Sequence, residues 1–354
     1  MKATIKTIAA LAVLAYSAPA IAGGVSVYDN GDSKLKLGGK IFSDVTSFKS
    51  TNGAGVVTKR TKSARISRAY LTTKYYFNSD WMMRITTDVN LDPALTKKNN
   101  NIFLKYAYLE GKLYGKAIVL RAGQSHTPWI DHEEELWGHR YVEPVLIDTN
   151  HYDASSDLGL GLKGSLADGM AKYFVTYTNG AGYDHPGRIG NSMDVDSRFG
   201  LYPIEGLTLD VQYRNGYRGT KTSPTPGLNN TETKSTLTQV MATYGMEHDY
   251  RVGANYAINK KTPTGGVAVK ENAFALWGWA NITNGFGVFA RYENTKDDQV
   301  AASKNKKTHY AGGVEYSPTK HVTLALALDH TKATLGGLNN GKTDRIGLWT
   351  QTKF

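Results

Sequence analysis

Val322-Thr-Leu-Ala-Leu-Ala-Leu328 places a large apolar residue at every second position, with Thr or Ala between them. A period of two puts successive side chains on opposite faces of a β-strand, so this stretch has one greasy face and one of small residues. The same beat recurs from Leu35 to Phe354. Other stretches show what occupies the second face. Val252, Ala254, Tyr256 and Ile258 alternate with Arg251, Gly253, Asn255 and Ala257; Leu207, Leu209, Val211 and Tyr213 alternate with Thr208, Asp210, Gln212 and Arg214; Ile118, Leu120 and Ala122 alternate with Val119, Arg121 and Gly123. Charges keep to the non-greasy face. An Arg or Lys on a lipid-facing strand position costs about 2–4 kcal/mol at mid-membrane, so the segregation is what a strand with its greasy face in lipid requires. A soluble secreted β-protein would read the same alternation inside out. Its core would then oppose a polar face carrying Gly38, Gly159, Gly161, Ala325 and Ala327, small residues that leave room for a lumen and for long charged neighbours.

Sixteen such segments are expected, near 34–45, 64–77, 81–90, 101–111, 116–124, 154–164, 170–179, 194–203, 206–217, 236–247, 250–260, 268–281, 286–295, 307–317, 321–331 and 344–354. Their connectors alternate. Short turns include Asn78-Ser79-Asp80, Ala167-Asp168-Gly169 and Asn284-Gly285, the last suited to a hairpin because both residues tolerate positive φ. Long ones fall near 46–63, 91–100, 125–153, 180–193, 218–235, 261–267, 296–306 and 332–343. An even strand count with short turns at one end and long loops at the other predicts an all-β fold, a transmembrane antiparallel β-barrel with short periplasmic turns and long extracellular loops.

The start of the chain predicts export. Lys2 and Lys6 precede the apolar stretch Ile8–Ala15, and Ala20-Ile21-Ala22 matches a small-residue cleavage site. Residues 1–22 are expected to be a cleaved signal peptide and residues 23–354 one barrel unit. Removal of the signal leaves a net charge of +9, since it takes two of 42 basic and none of 31 acidic residues. No later segment reaches the roughly 20 apolar residues of a membrane helix. The absence of cysteine excludes disulfide staples and thiolate metal sites.

On this pattern the basic residues expected to line the barrel are Lys36, Lys40, Arg68, Lys74, Arg84, Lys105, Arg121, Lys163, Arg198, Arg214, Arg251 and Arg291. The expected acidic ones are Asp44, Asp88, Asp157, Asp210, Glu293, Glu315 and Asp329. The excess of cations predicts a lumen that enriches anions. The 125–153 connector is the longest and carries His126, Trp129, Asp131, His132, Glu133, Glu134, Glu135, Trp137, His139, Arg140, Tyr141, Glu143 and Asp148. Its aromatics suit packing against a wall, and its acids are expected to face the basic wall from a constriction folded into the barrel.

Chemical motifs do not assemble. His132-Glu-Glu-Glu-Leu136 lacks the second His of a zinc-protease helix, and Gly159-x-Gly161-x-x-Gly164 lies within a strand and opens no helix. No catalytic residue, metal site or cofactor is expected, and no reader motif points to nucleic acid.

In this architecture, and in the aromatic residue closing the segment Ile346–Phe354, the chain resembles Gram-negative outer-membrane porins. Arg65-Ile-Ser-Arg68-Ala-Tyr-Leu, Trp81-Met-Met-Arg84-Ile-Thr-Thr-Asp88, Lys105-Tyr-Ala-Tyr-Leu-Glu and Leu120-Arg-Ala-Gly-Gln124 with Pro128 are similar to the phosphate-selective (O and P) porin group. The resemblance implies a homotrimer in outer-membrane lipid and lipopolysaccharide, passing small hydrophilic solutes, with phosphate or other anions among them. A non-conducting structural or adhesive barrel and a barrel enzyme are the alternatives.

Overall fold

The computed structural model describes residues 24–90, 101–183, 193–218, 232–263, 265–283, 285–300 and 303–354. The expected signal peptide, Lys97, Lys98 and Asn284 lie outside these residues.

Period-two patterning becomes strand wherever it was read. The chain forms β1 (Val25–Asp29), β2 (Lys34–Thr51), β3 (Val57–Tyr76), β4 (Trp81–Asn90), β5 (Asn101–Tyr114), β6 (Ile118–His126), β7 (Ser156–Leu166), β8 (Ala171–Thr178), β9 (Asp194–Leu201), β10 (Leu207–Arg218), β11 (Thr233–Met246), β12 (Tyr250–Pro263), β13 (Val269–Thr283), β14 (Phe286–Val300), β15 (Ser303–Thr319), β16 (Val322–Leu335) and β17 (Leu338–Lys353). From β2 to β17 each strand pairs antiparallel with the next. β17 then pairs with β2, from Lys342↔Thr51 to Lys353↔Lys40. These sixteen strands are a closed barrel, which leaves no unpaired sheet edge.

β1 is an addition that the alternation did not reveal. It pairs with β2 from Val25↔Leu37 to Asp29↔Lys34, on the same edge that β17 occupies further along. Gly39 and Phe354 exchange both backbone hydrogen bonds at 3.1 Å where the two meet.

The faces are inverted relative to a soluble protein. Leu326 and Leu328 are 59% and 48% exposed, whereas Ala325 and Ala327 between them are 0% and 4% exposed. Val252, Tyr256, Leu209 and Val211 are likewise exposed on the outside. Aromatic pairs Tyr75–Phe77, Tyr244–Tyr250 and Phe286–Tyr316 gather near the short turns, where amphipathic rings suit a membrane–water boundary. Gly285, just before β14, has φ +83°, and a Cβ there would come within 2.5 Å of the Ser317 carbonyl oxygen.

Several expected long loops are shorter than the sequence suggested. β2 and β3 run on to a turn at 52–56, and β16 and β17 to a turn at 336–337. In these extensions polar residues occur on both faces, as at Lys49↔Arg60 and Ser50↔Lys59. The alternation disappears where the strands leave the apolar zone, while the backbone ladder continues.

Candidate functional site

The long connector after β6 folds into the barrel. It carries two helices, α1 (Ile130–Trp137) and α2 (Leu146–Thr149). Trp129, Ile130, Trp137, Val145, Leu146 and Ile147 are completely buried. They pack on inward residues of one arc of wall: Leu237 and Met241 of β11, Ala257 of β12, Ala273, Ala275 and Trp277 of β13, Phe289 of β14, Ala325 and Ala327 of β16, Trp349 of β17 and Phe42 of β2. The Trp137 ring meets Trp277 and Phe289 edge-on at 5.8 and 6.0 Å. The inward alanines thus make room for the connector's aromatic side chains rather than for open lumen. Gly253 serves the same packing, because a Cβ there would come within 2.4 Å of the Trp277 ring.

Polar anchors follow the same arc. His132 Nε2 lies 2.9 Å from Asp210, which also receives Arg198 at 2.7 Å, while Arg198 Nε donates to the Pro128 carbonyl at 2.9 Å. Trp279 Nε1 donates to the Leu136 carbonyl at 3.0 Å, and Tyr141 donates to Glu315 at 2.7 Å. Arg214 and Arg218 hold Asp153 where the connector returns to β7. Arg291 bonds Glu293 at 2.6 Å and Glu133 at 3.3 Å; Trp129 Nε1 gives Glu133 a second bond at 2.8 Å.

Arg198, Arg214, Arg291 and Asp210, expected from alternation to line water, are therefore buried beneath the connector as its anchors. Glu133 is also fully buried and does not face the basic wall. Glu134 is held by Arg140 at 2.5 Å, and Arg140 also reaches Asp148 at 3.2 Å. Asp131 and Glu135 remain water-exposed on α1. Asp157 is buried on β7, and Arg251 is half-buried near a short turn, bonded to Thr243.

The arc from β2 to β7 also carries a basic row. Arg65 pairs with Asp44 at 2.7 Å and Arg68 with Asp88 at 3.0 Å. Arg121 and Lys163 share Glu110 at 2.7 and 2.9 Å. Lys105 bonds Ser155 and lies 3.5 Å from the Tyr183 ring centre. Lys36, Lys74 and Arg84 differ. They are direct cross-strand partners, Lys36↔Lys74 and Lys74↔Arg84, and among the described residues no carboxylate lies within salt-bridge distance of any of them. Like charges placed directly opposite are destabilising, so this row carries an unneutralised field. Arg84 sits 4.6 Å over the Tyr106 ring, and Tyr106 stacks on His126 at 4.0 Å. His126 Nε2 faces Asp131 of α1 at 3.3 Å, and Arg121 lies 3.2 Å from Nδ1. The acidic side of α1 and the basic arc therefore meet at His126.

His126, Tyr106 and Glu110 carry more of this geometry than their sequence context suggested. A register shift opposite Thr86/Thr87 leaves Lys105 unpaired, and Lys105 and Tyr106 are both buried on the inside. This is the effect of a β-bulge, and alternation alone does not show it.

The comparisons agree with this architecture. The profile of the Gram-negative porin family matches residues 7–348. An anion-selective porin from Comamonas acidovorans superposes with TM-score 0.69 at 12% identity, covering 91% of this chain and 100% of that one. The outer membrane channel DcaP of Acinetobacter baumannii gives TM-score 0.64 at 14% identity, covering 94% and 100%. OmpT of Vibrio cholerae in its trimer form gives TM-score 0.60 at 12% identity, covering 91% and 100%. No curated protein matches the chain in sequence. With an inverted barrel, a connector folded against one inner arc and a family profile spanning nearly its whole length, the chain belongs to the Gram-negative porin family and forms an outer-membrane channel.

Proposed function

We propose that this porin passes small hydrophilic solutes by diffusion with a preference for anions, working as a homotrimer after removal of residues 1–22. The observation that carries the preference is the row Lys36, Lys74 and Arg84, which has no carboxylate in salt-bridge reach among the described residues. Asp131 of α1 meets this arc at His126, and Glu135 lies one turn further along the same helix. A confined wall of one sign raises the local concentration of the opposite ion. The likeness to a porin described as anion-selective supports this reading, and the trimer form of OmpT supports the assembly. Small oxyanions and carboxylates fit the arc best, because one guanidinium and two ammonium groups stand side by side there. Phosphate is one such anion, in line with the resemblance of the 65–71 and 81–88 stretches to phosphate-selective porins.

Purified protein in a planar bilayer is expected to give discrete conductance steps. Its reversal potential in a KCl gradient is expected to have the sign of chloride preference. A clear potassium preference would overturn the reading, and replacing chloride with phosphate then ranks the anions.

The preference is expected to depend on pH through Glu135. Enclosure within the barrel pushes its carboxyl up to about 7, Asp131 adds to the shift, and Lys40 opposes it. Lumen water also reaches this side chain and works against the shift. Above that pH Glu135 is charged and favours cations locally; as pH falls through about 7 it becomes neutral, so anion preference increases. Glu135→Gln should resemble the low-pH wild type and flatten the dependence. A Glu135→Gln channel whose reversal potential still moves with pH as in the wild type would show that another group is titrating.

A further inference from the structure

We propose that Glu143 of the constriction loop, His309 of β15 and Asp329 of β16 form a site for a divalent transition-metal ion of the zinc class, tying the loop to the wall. One donor atom from each lies within 4.8 Å of the others. His309 Nε2 is 3.7 Å from Glu143 Oε1 and 3.1 Å from Asp329 Oδ1. Ligand bonds of about 2.1 Å in a tetrahedral site put donor atoms about 3.4 Å apart, so the present spacing brackets what an ion needs. One imidazole and two carboxylates, with water in the fourth position, suit zinc better than the all-oxygen shells of magnesium or calcium.

A second observation is independent of that spacing. His309 is 3% exposed, and its Nδ1 has no hydrogen-bond partner. That nitrogen points at Glu293 Oε2, 3.8 Å away. Nδ1 thus faces a carboxylate in a buried place without a hydrogen bond to it. An ion at Nε2 requires the tautomer with the proton on Nδ1, directed at Glu293. A carboxylate behind a ligating imidazole is the usual support of such a site. Charge points the same way. Glu133, Glu143, Glu293 and Asp329 cluster around one guanidinium, Arg291, and one imidazole. Four acidic groups thus share two basic ones, and a divalent ion offsets the imbalance. Asp329 keeps 17% of its side chain exposed, giving an ion access from water.

The test uses the full-length protein in detergent, stripped with a chelator, dialysed against zinc chloride and assayed for retained metal and by titration calorimetry. One zinc per chain is expected, with magnesium failing to compete. His309→Gln should weaken binding at least about tenfold, and Asp329→Asn, at the exposed edge of the site where folding is least at risk, should do the same. Absence of retained zinc in the wild type, equal retention by both variants, or displacement by magnesium at similar concentration would each overturn the assignment. The outcome does not depend on the ion preference of the channel.

Discussion

Arg291→Met is expected to unseat the constriction loop and produce channels of larger and noisier unitary conductance. The guanidinium is completely buried and bonds both Glu293 and Glu133. Methionine fills a similar volume without charge, so the loss is electrostatic. Two carboxylates remain where water cannot reach them. Breaking a buried pair by removing one partner costs about 3–5 kcal/mol, since the remaining charge is uncompensated. Glu133 belongs to α1 and Glu293 to the wall, so their mutual repulsion acts to lift α1 away. Protease accessibility of the loop should rise together with conductance. The double variant Glu133→Gln/Arg291→Met removes one of the orphaned charges and should recover part of the loss, which makes the coupling measurable as a double-mutant cycle. Unaltered conductance and noise in Arg291→Met would show that the apolar contacts of Trp129 and Trp137 hold the loop without this pair.

The second large effect is expected on selectivity. Lys74→Gln with Arg84→Gln should reduce the anion-to-cation permeability ratio several-fold while leaving the barrel at least as stable. The two side chains face each other across β3 and β4, with no carboxylate in salt-bridge reach among the described residues. Their removal therefore orphans no acid. Relief of like-charge opposition contributes roughly 0.2–1 kcal/mol in favour of the folded state. Arg121→Gln provides the contrast. Its guanidinium shares Glu110 with Lys163, so its removal takes away one positive charge and leaves Glu110 paired with Lys163 alone. A reversal potential unchanged in Lys74→Gln/Arg84→Gln would place the selective region elsewhere along the lumen. Unfolding by urea, followed by the heat-dependent gel mobility of the barrel, checks the stability half of the prediction.

Much of this fold is legible in the sequence because lipid imposes a strict condition: each spanning strand must keep charge off one face. Val322–Leu328 and Leu207–Arg214 obey it without exception, and all sixteen expected segments fall on strands. The site was legible only in outline. The connector's Trp129 and Trp137 predicted packing against a wall, and that packing is present. Which charges the connector would cover was not readable. Arg291 and Arg84 follow the same alternation and differ only in which arc of the ring faces them. Bulges conceal the rest. Arg65 and Arg68 are three residues apart, an odd spacing that should place them on opposite faces. The register passes from Phe42↔Arg68 to Ser43↔Ile66, leaving Ser67 unpaired. Arg65 and Arg68 consequently reach Asp44 and Asp88 from the same side.

The pairing of β17 with β2 has a consequence for how the barrel assembles. Every other pair in the ring joins consecutive strands, most of them through short turns with little loop-closure entropy. The Ser43–Thr350 contact at 2.6 Å spans 307 residues. Closure is thus a single long-range event at the end of a series of local ones, and such non-local pairing is the slow part of folding. Until it happens, β2 and β17 each present an open edge to any strand nearby. β1 covers part of the β2 edge from Leu37 to Lys34 through a tight local hairpin. That leaves a shorter stretch unprotected during the wait, and it marks where the incoming strand must stop.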